Sequence, residues 1–303
     1  MKQQIVHFAP YLEKARQLPE VKIAVAAAED AEVLEGVRLA AEEGVATPIL
    51  VGAVEKIKQL ADQVGLSLDG VELVDQPNPK EAAREATRLV REGKADVLMK
   101  GMLQTADLMR AVLDEKIGLR TGRLLTHVGI FDVPTFDRLV MVSDGGIAIA
   151  PTLEQKATVV QNAIELAHGL GIVEPKVALL AAVELVNPAM PATLDAASLT
   201  KMADRGQIKG GLVDGPLALD NAVNMEAAKH KKISSPVAGQ ADILIVPDIE
   251  AGNILSKSLV YFANSTLAGV VMGAAKPIVL TSRADTPLSK MLSIAAAALV
   301  SRA

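Results

Sequence analysis

The sequence predicts an α/β protein of two lobes, and three observations lead there. Short apolar runs of strand length alternate with amphipathic stretches of helix length, the pattern of βαβ units around a parallel sheet. Half of the residues are apolar while only 2% are aromatic, with no Trp. The core is therefore aliphatic and Ala-rich, which suits helices laid on parallel strands. A chain of 303 residues can bury a large core, and its length favours about two domains.

The elements follow in order. Strand 22–28 (KIAVAAA) leads to helix 31–43, and strand 47–52 (TPILVG) to helix 54–64. Strand 71–75 (VELVD) leads to helix 79–92, and strand 95–101 (ADVLMKG) to helix 105–114. The pattern shifts over 120–143, where LLTHVGIF and RLVMVSDGG stand close together around a Val-Pro turn. That spacing predicts a hairpin or adjacent strands. Alternation then resumes with helix 153–169 before KVALLAA, helix 192–205 before IKGGLVDGP, and ADILIVPD before helix 253–263. The strand KPIVLTSR and a helix over 287–301 close the chain.

Composition excludes several function classes. The net charge is −5, from 31 basic and 36 acidic residues mixed along the chain, and no basic block marks a nucleic-acid or anionic-membrane surface. Few aromatics also argue against stacking single-stranded bases. The absence of Cys removes disulfides, thiolate metal ligands and a Cys nucleophile together. The N-terminal stretch lacks the apolar core of a signal peptide, and no run of about 18 apolar residues reads as a membrane span. The expected location is cytoplasmic. Four His with no His-Glu-x-x-His spacing argue against a zinc hydrolase, and no metal is expected. There is no Gly-x-Ser-x-Gly elbow, and AVAAAEDAEVLEG stands where a Gly-x-Gly-x-x-Gly would follow the first strand. An α/β-hydrolase and a dinucleotide-binding Rossmann domain are disfavoured accordingly.

In open α/β sheets ligands bind beyond the carboxyl ends of strands, where loops enter helix N-termini. Four strand ends are unusually polar. In LMKGMLQTADLMR, Lys100 and Gly101 end a strand, and Thr105 could cap a helix carrying Arg110. This arrangement suits a phosphate, and equally an ordinary capped surface helix. Asp214-Gly215-Pro216 reads first as a turn. In LIVPDIEAGNILSKSLVYF, Asp248 ends a strand, Gly252 permits close backbone approach and Asn253 is a plausible N-cap. Ile254, Leu255, Leu259 and Phe262 form the stripe expected to be buried, with Lys257 facing elsewhere. This stretch is either an anion site or a capped core helix. In KPIVLTSRADT, Ser282 and Arg283 could hold an anionic group or a developing oxyanion. The alternative is a structural ion pair between Arg283 and Asp285.

In this order the motifs resemble the phosphate acetyl/butyryl transferase family, over nearly the whole chain. TADLMR looks like the Thr-Ala-Asp-x-x-Arg segment of phosphotransacetylases. VAGQADILIVPDIEAGNILSKSL resembles their Val-Ala-Gly … Pro-Asp … Gly-Asn … Lys block, and KPIVLTSRADT their Lys-Pro … Ser-Arg element. The resemblance implies acyl transfer between CoA and phosphate, with acyl-CoA, CoA and inorganic phosphate as the molecules bound and no cofactor. It implies two α/β lobes flanking a cleft, similar to isocitrate/isopropylmalate dehydrogenase. The first lobe is then discontinuous, 1–141 plus 272–303, and the second, 142–271, is the dimerising one. At least a homodimer is expected.

By the same resemblance Ser282, Arg283 and Asp285 are the catalytic candidates. Lys100, Gly101, Thr105, Arg110, Asp248, Gly252, Asn253 and Lys257 are the substrate-binding ones. Two departures matter. Acetyl-specific members carry a His before Thr-Ala-Asp, whereas this chain reads MKGMLQTAD, which looks like the butyryl branch. They also carry an Asp seven residues after the Ser of Ser-Arg, where this chain has Ser289, so Asp285 is only a substitute for the general base. The expectation is a butyryl or branched C4–C5 acyltransferase acting by direct attack in a ternary complex. The alternatives are a metal- and NAD-dependent decarboxylating dehydrogenase of related fold and a non-catalytic CoA-binding module.

Overall fold

Strand and helix alternate from the start of the described chain, which covers residues 7–282 and 284–302 of a computed structural model. The chain runs through α1 (Ala9–Arg16), β1 (Lys22–Ala26), α2 (Ala31–Glu42), β2 (Thr47–Gly52) and α3 (Val54–Val64). β3 (Glu72–Asp75), α4 (Pro79–Arg91), β4 (Val97–Lys100) and α5 (Thr105–Val112) follow. Next come β5 (Thr126–Asp132), β6 (Leu139–Ser143), α6 (Leu153–Gly169), β7 (Lys176–Leu180), α7 (Pro191–Asp204) and β8 (Leu212–Leu217). Two short helices, α8 (Leu219–Val223) and α9 (Met225–His230), precede β9 (Ile243–Ile245) and α10 (Ile249–Tyr261). The last elements are β10 (Thr266–Met272), β11 (Ile278–Val279) and α11 (Pro287–Ser301).

Contacts divide these elements into two units. One comprises Phe8–Arg123 and the chain from Leu267 onward, the other Leu124–Thr266 with His7. The C-terminal segment therefore belongs with the N-terminal elements. The divisions at 123/124 and 266/267 differ from the expected 141/142 and 271/272. The reason is pairing: β5 lies antiparallel to β6 over Val128–Asp132, and β6 lies parallel to β9.

In the first unit the strands run β3-β2-β1-β4-β11-β10. All pairs are parallel except antiparallel β10–β11. The sequence showed no strand at β10, where Gly269 and Ala268 dilute the β-branched residues. Helix starts follow the expected chemistry. Asp30 accepts from Val33 N at 2.9 Å to cap α2, Asn78 caps α4 with Pro79 behind it, and Thr286 caps α11 ahead of Pro287. α11 is buried all round from Ser289 to Leu299 and packs on α1, α2, β4 and β11. That fits a helix of sequence SIAAAALV, with no polar face to expose.

The second unit orders its strands β5-β6-β9-β7-β8, parallel from β6 onward. Asp214-Gly215-Pro216, expected as a turn, lies inside β8. Proline is tolerated there because β8 is an edge strand. α10 starts four residues earlier than expected. Asp248, not Asn253, is its N-cap, accepting from Ala251 N at 2.9 Å. The expected buried stripe on α10 is also corrected: Ile254 and Phe262 are 66% and 90% exposed, and Leu255 and Leu259 are half-buried. No helix among the described residues is long and apolar enough to cross a membrane.

Candidate functional site

The carboxyl ends of β4 and β11 lie side by side in the first unit. Their register pairs Ile278 with Leu98 and Val279 with Met99. The chain leaving β4 at Lys100 and the chain leaving β11 through Thr281 and Ser282 therefore emerge at one edge of the sheet. There they line a small cavity with Gly101, Asp30 and Lys290. Lys100 is only 6% exposed, and its Nζ lies 3.4 Å from the Gly101 carbonyl oxygen. Gly101 is small because of packing: a Cβ there would sit 2.2 Å from the Ala27 carbonyl oxygen. The close neighbour at Gly101 is thus the chain leaving β1.

The loop after β11 is closed locally. Ser282 N donates to Asp285 Oδ2 at 2.7 Å, and Asp285 N donates back to the Ser282 carbonyl at 3.2 Å. Ser282 Oγ accepts from Ala284 N at 3.3 Å and is exposed, so its hydroxyl proton is available to a ligand. Arg283, expected as a catalytic residue, lies outside the described residues. Ser289, which stands where acetyl-type enzymes carry Asp, is buried and donates its N–H to Thr286 Oγ1 at 3.2 Å.

Other expected residues stand apart from this cavity. Thr105 is the first residue of α5 rather than its cap, since Gln104 holds the N-cap position without a side-chain hydrogen bond. Arg110 is largely exposed and pairs with Asp107 at 2.5 Å one turn away. The remaining four belong to the second unit. Asp248 lines a cavity of about 720 Å³ with Lys156, Pro151, Met190 and Leu255. Lys156 there is buried and paired with Asp195 at 2.7 Å. Gly252 is where the backbone approaches closely: a Cβ would meet the Asp144 carbonyl oxygen at 2.5 Å. Asn253 Nδ2 donates to the Gly145 carbonyl at 3.3 Å, and Lys257 is exposed.

Three polar side chains were missed. Asp144 is buried and accepts from the backbone N–H groups of His127, Gly146 and Ile147 at 2.7–2.9 Å. Lys156 lies on a helix whose other charges are ordinary. Lys290 is the single charged residue in the run PLSKMLSIAAAALV, and that isolation was the available signal.

The chain matches the family described as "Phosphate acetyl/butaryl transferase" over residues 8–86 and 76–298. It belongs to that family. The chain is thus an acyltransferase by membership. Among relatives, it is 48% identical to the phosphate butyryltransferase of Clostridium acetobutylicum, covering 98% of both chains. It is 49% identical to the phosphate acetyltransferase of Thermotoga maritima, over 91% of this chain and 94% of that one. Among solved structures, it is similar to a branched-chain phosphotransacylase from Enterococcus faecalis, with a TM-score of 0.82 and 33% identity over 93% of this chain and 99% of the other.

Proposed function

We propose that the chain moves a short acyl group, butyryl or branched C4–C5 in preference to acetyl, between CoA and inorganic phosphate. The observation carrying this reading is the convergence of Lys100, Thr281 and the exposed Ser282 hydroxyl at one strand-end cavity of a family acyltransferase. Phosphate oxygen attacks the thioester carbonyl, a C–O bond forms, and the C–S bond breaks to release CoA thiolate, which takes up a proton. Ser282 donates a hydrogen bond to the tetrahedral oxyanion, and Arg283 offsets its charge. Preorganised donors of this kind are typically worth ~10²–10³ in rate each.

Direct attack needs no Cys nucleophile, and the chain has none. In the direction that consumes CoA, the thiol must be deprotonated. A carboxylate with pKa ~4 is a weak base for a thiol near ~8.5, so geometry has to compensate. Asp285 is a candidate, although one of its oxygens already holds Ser282 N–H. We infer that no cofactor or metal is needed, and that the architecture is of the isocitrate/isopropylmalate dehydrogenase kind. We also infer a homo-oligomer through the second unit, because Ile254, Tyr261 and Phe262 expose large apolar side chains along α10.

Free thiol released from butyryl-CoA with and without phosphate tests the activity. Phosphate-dependent release supports it. Release without phosphate dependence refutes it, NAD reduction marks a dehydrogenase, and binding without turnover marks a non-catalytic CoA-binding module.

A further inference from the structure

Lys290 is the fourth residue of α11 and only 2% exposed. Its position is unfavourable twice over. Burial strips a strongly hydrated ammonium of water, and a cation at a helix start opposes the macrodipole. The compensation within the described residues is thin. Nζ donates to the backbone carbonyl of Asp285 and lies 3.5 Å from Glu32 Oε2, whose side chain is more than half exposed. An ammonium has three N–H donors, so one is left over, and Lys290 lines the same cavity as Lys100, Thr281 and Ser282.

The side chain is also given room. Gly36 in the middle of α2 has no Cβ, and one placed there would sit 2.7 Å from Lys290 Cβ. Glycine inside a helix costs about 1 kcal/mol relative to alanine, so α2 gives up stability where Lys290 passes.

The cavity itself is about 20 Å³, the space of one water or one ligand oxygen. Two lysines and two hydroxyl-bearing residues are among its lining. Asp30, the carboxylate present, already spends an oxygen on capping α2. Such a lining selects an anionic oxygen over a neutral carbonyl. We propose that Lys290, together with Lys100, seats one oxygen of inorganic phosphate in this cavity, making Lys290 a phosphate-binding residue as well as the residue that holds the Asp285 carbonyl. This rests on the phosphate acyltransfer reading and names the anion subsite within it.

Lys290→Met keeps the stem that packs against α2 and removes the ammonium. Loss of a hydrogen bond to a charged group predicts a phosphate KM raised ~10–100-fold, with the acyl-CoA KM unchanged. A fall in kcat with phosphate KM unmoved overturns the proposal, because it is what loop positioning alone would produce. Wild-type crystals soaked in selenate provide a readout that survives a variant that fails to fold. An anomalous peak within hydrogen-bonding distance of Lys290 Nζ supports the seat, and an empty cavity at saturating selenate overturns it. If the wild type shows no phosphate-dependent thiol release, the acyltransfer reading fails, while the selenate density still reports on the seat by itself.

Discussion

Replacing Asp285 separates loop closure from proton transfer. Its Oδ2 accepts from Ser282 N at 2.7 Å, while Ser282 O accepts from Asp285 N, so the side chain fixes the turn that presents the Ser282 hydroxyl. A hydrogen bond to a charged acceptor is worth about 1.5–3 kcal/mol. At 1.36 kcal/mol per tenfold in rate, Asp285→Ala then costs about 10- to 100-fold in kcat/KM if that turn is needed for catalysis. Asp285→Asn keeps an oxygen that accepts the same N–H. A neutral bond has roughly half the strength of a charge-assisted one, so the expected loss is about tenfold or less. Initial rates of acyl-CoA formation from butyryl phosphate and CoA, measured from about pH 6 to 9, distinguish the two roles, since the thiol titrates near ~8.5. For a positioning residue Asn stays well above Ala, and both losses are even across pH. If Asn falls as far as Ala, with losses that shrink toward the thiol pKa, Asp285 is the general base and the positioning argument is wrong.

Three further outcomes are expected. Gly36→Ala gains about 1 kcal/mol of helix propensity but overpacks against Lys290 at a typical cost of 1–3 kcal/mol. Urea unfolding should show net destabilisation of up to about 2 kcal/mol, and clear stabilisation would refute the close contact. Butyryl-CoA should be used better than acetyl-CoA, by at most roughly 10- to 20-fold for two buried methylenes at about 0.8 kcal/mol each; kcat/KM for both substrates checks this. Asp114 is held at a pKa of about 2 by the Ile117 N–H first, then by Arg84 and the Lys116 N–H. Because its folded pKa is depressed, its contribution is present above the unfolded value near ~3.9 and is lost as pH falls toward 2. Asp114→Asn should flatten that part of the acid-unfolding curve, and an unchanged curve would show that the contribution is screened away at this exposed site.

Much of the fold was legible because strand and helix alternation is a local signal. The runs KIAVAAA, TPILVG and ADVLMKG each carry their periodicity within a few residues, and Pro79 and Pro287 mark the helix starts that the structure shows capped by Asn78 and Thr286. Local signals were weaker at α10. Asn253 is a residue type that can cap, yet Asp248 holds the N-cap position, and Gly252, packed against Asp144 and Gly145, lies inside the helix. The stripe on α10 had the right spacing for a core helix, yet periodicity states which residues share a face and not what covers it.

By itself the sequence determined the family, the strand-end positions of Lys100 and Ser282, and the chemistry excluded by having no Cys. Tertiary structure alone decided which of those positions meet. The parallel β4–β11 register, between residues nearly two hundred positions apart, brings Lys100 to Thr281 and Ser282 and leaves Arg110 to its ion pair with Asp107. The sequence marked Lys290 only by its isolation as the single charged residue of its run, and its burial was decided by the same tertiary packing. A lysine is expected at the surface, and its burial depends on a glycine in a distant helix and on the shape of a cavity formed only when β4, β11, α2 and α11 come together.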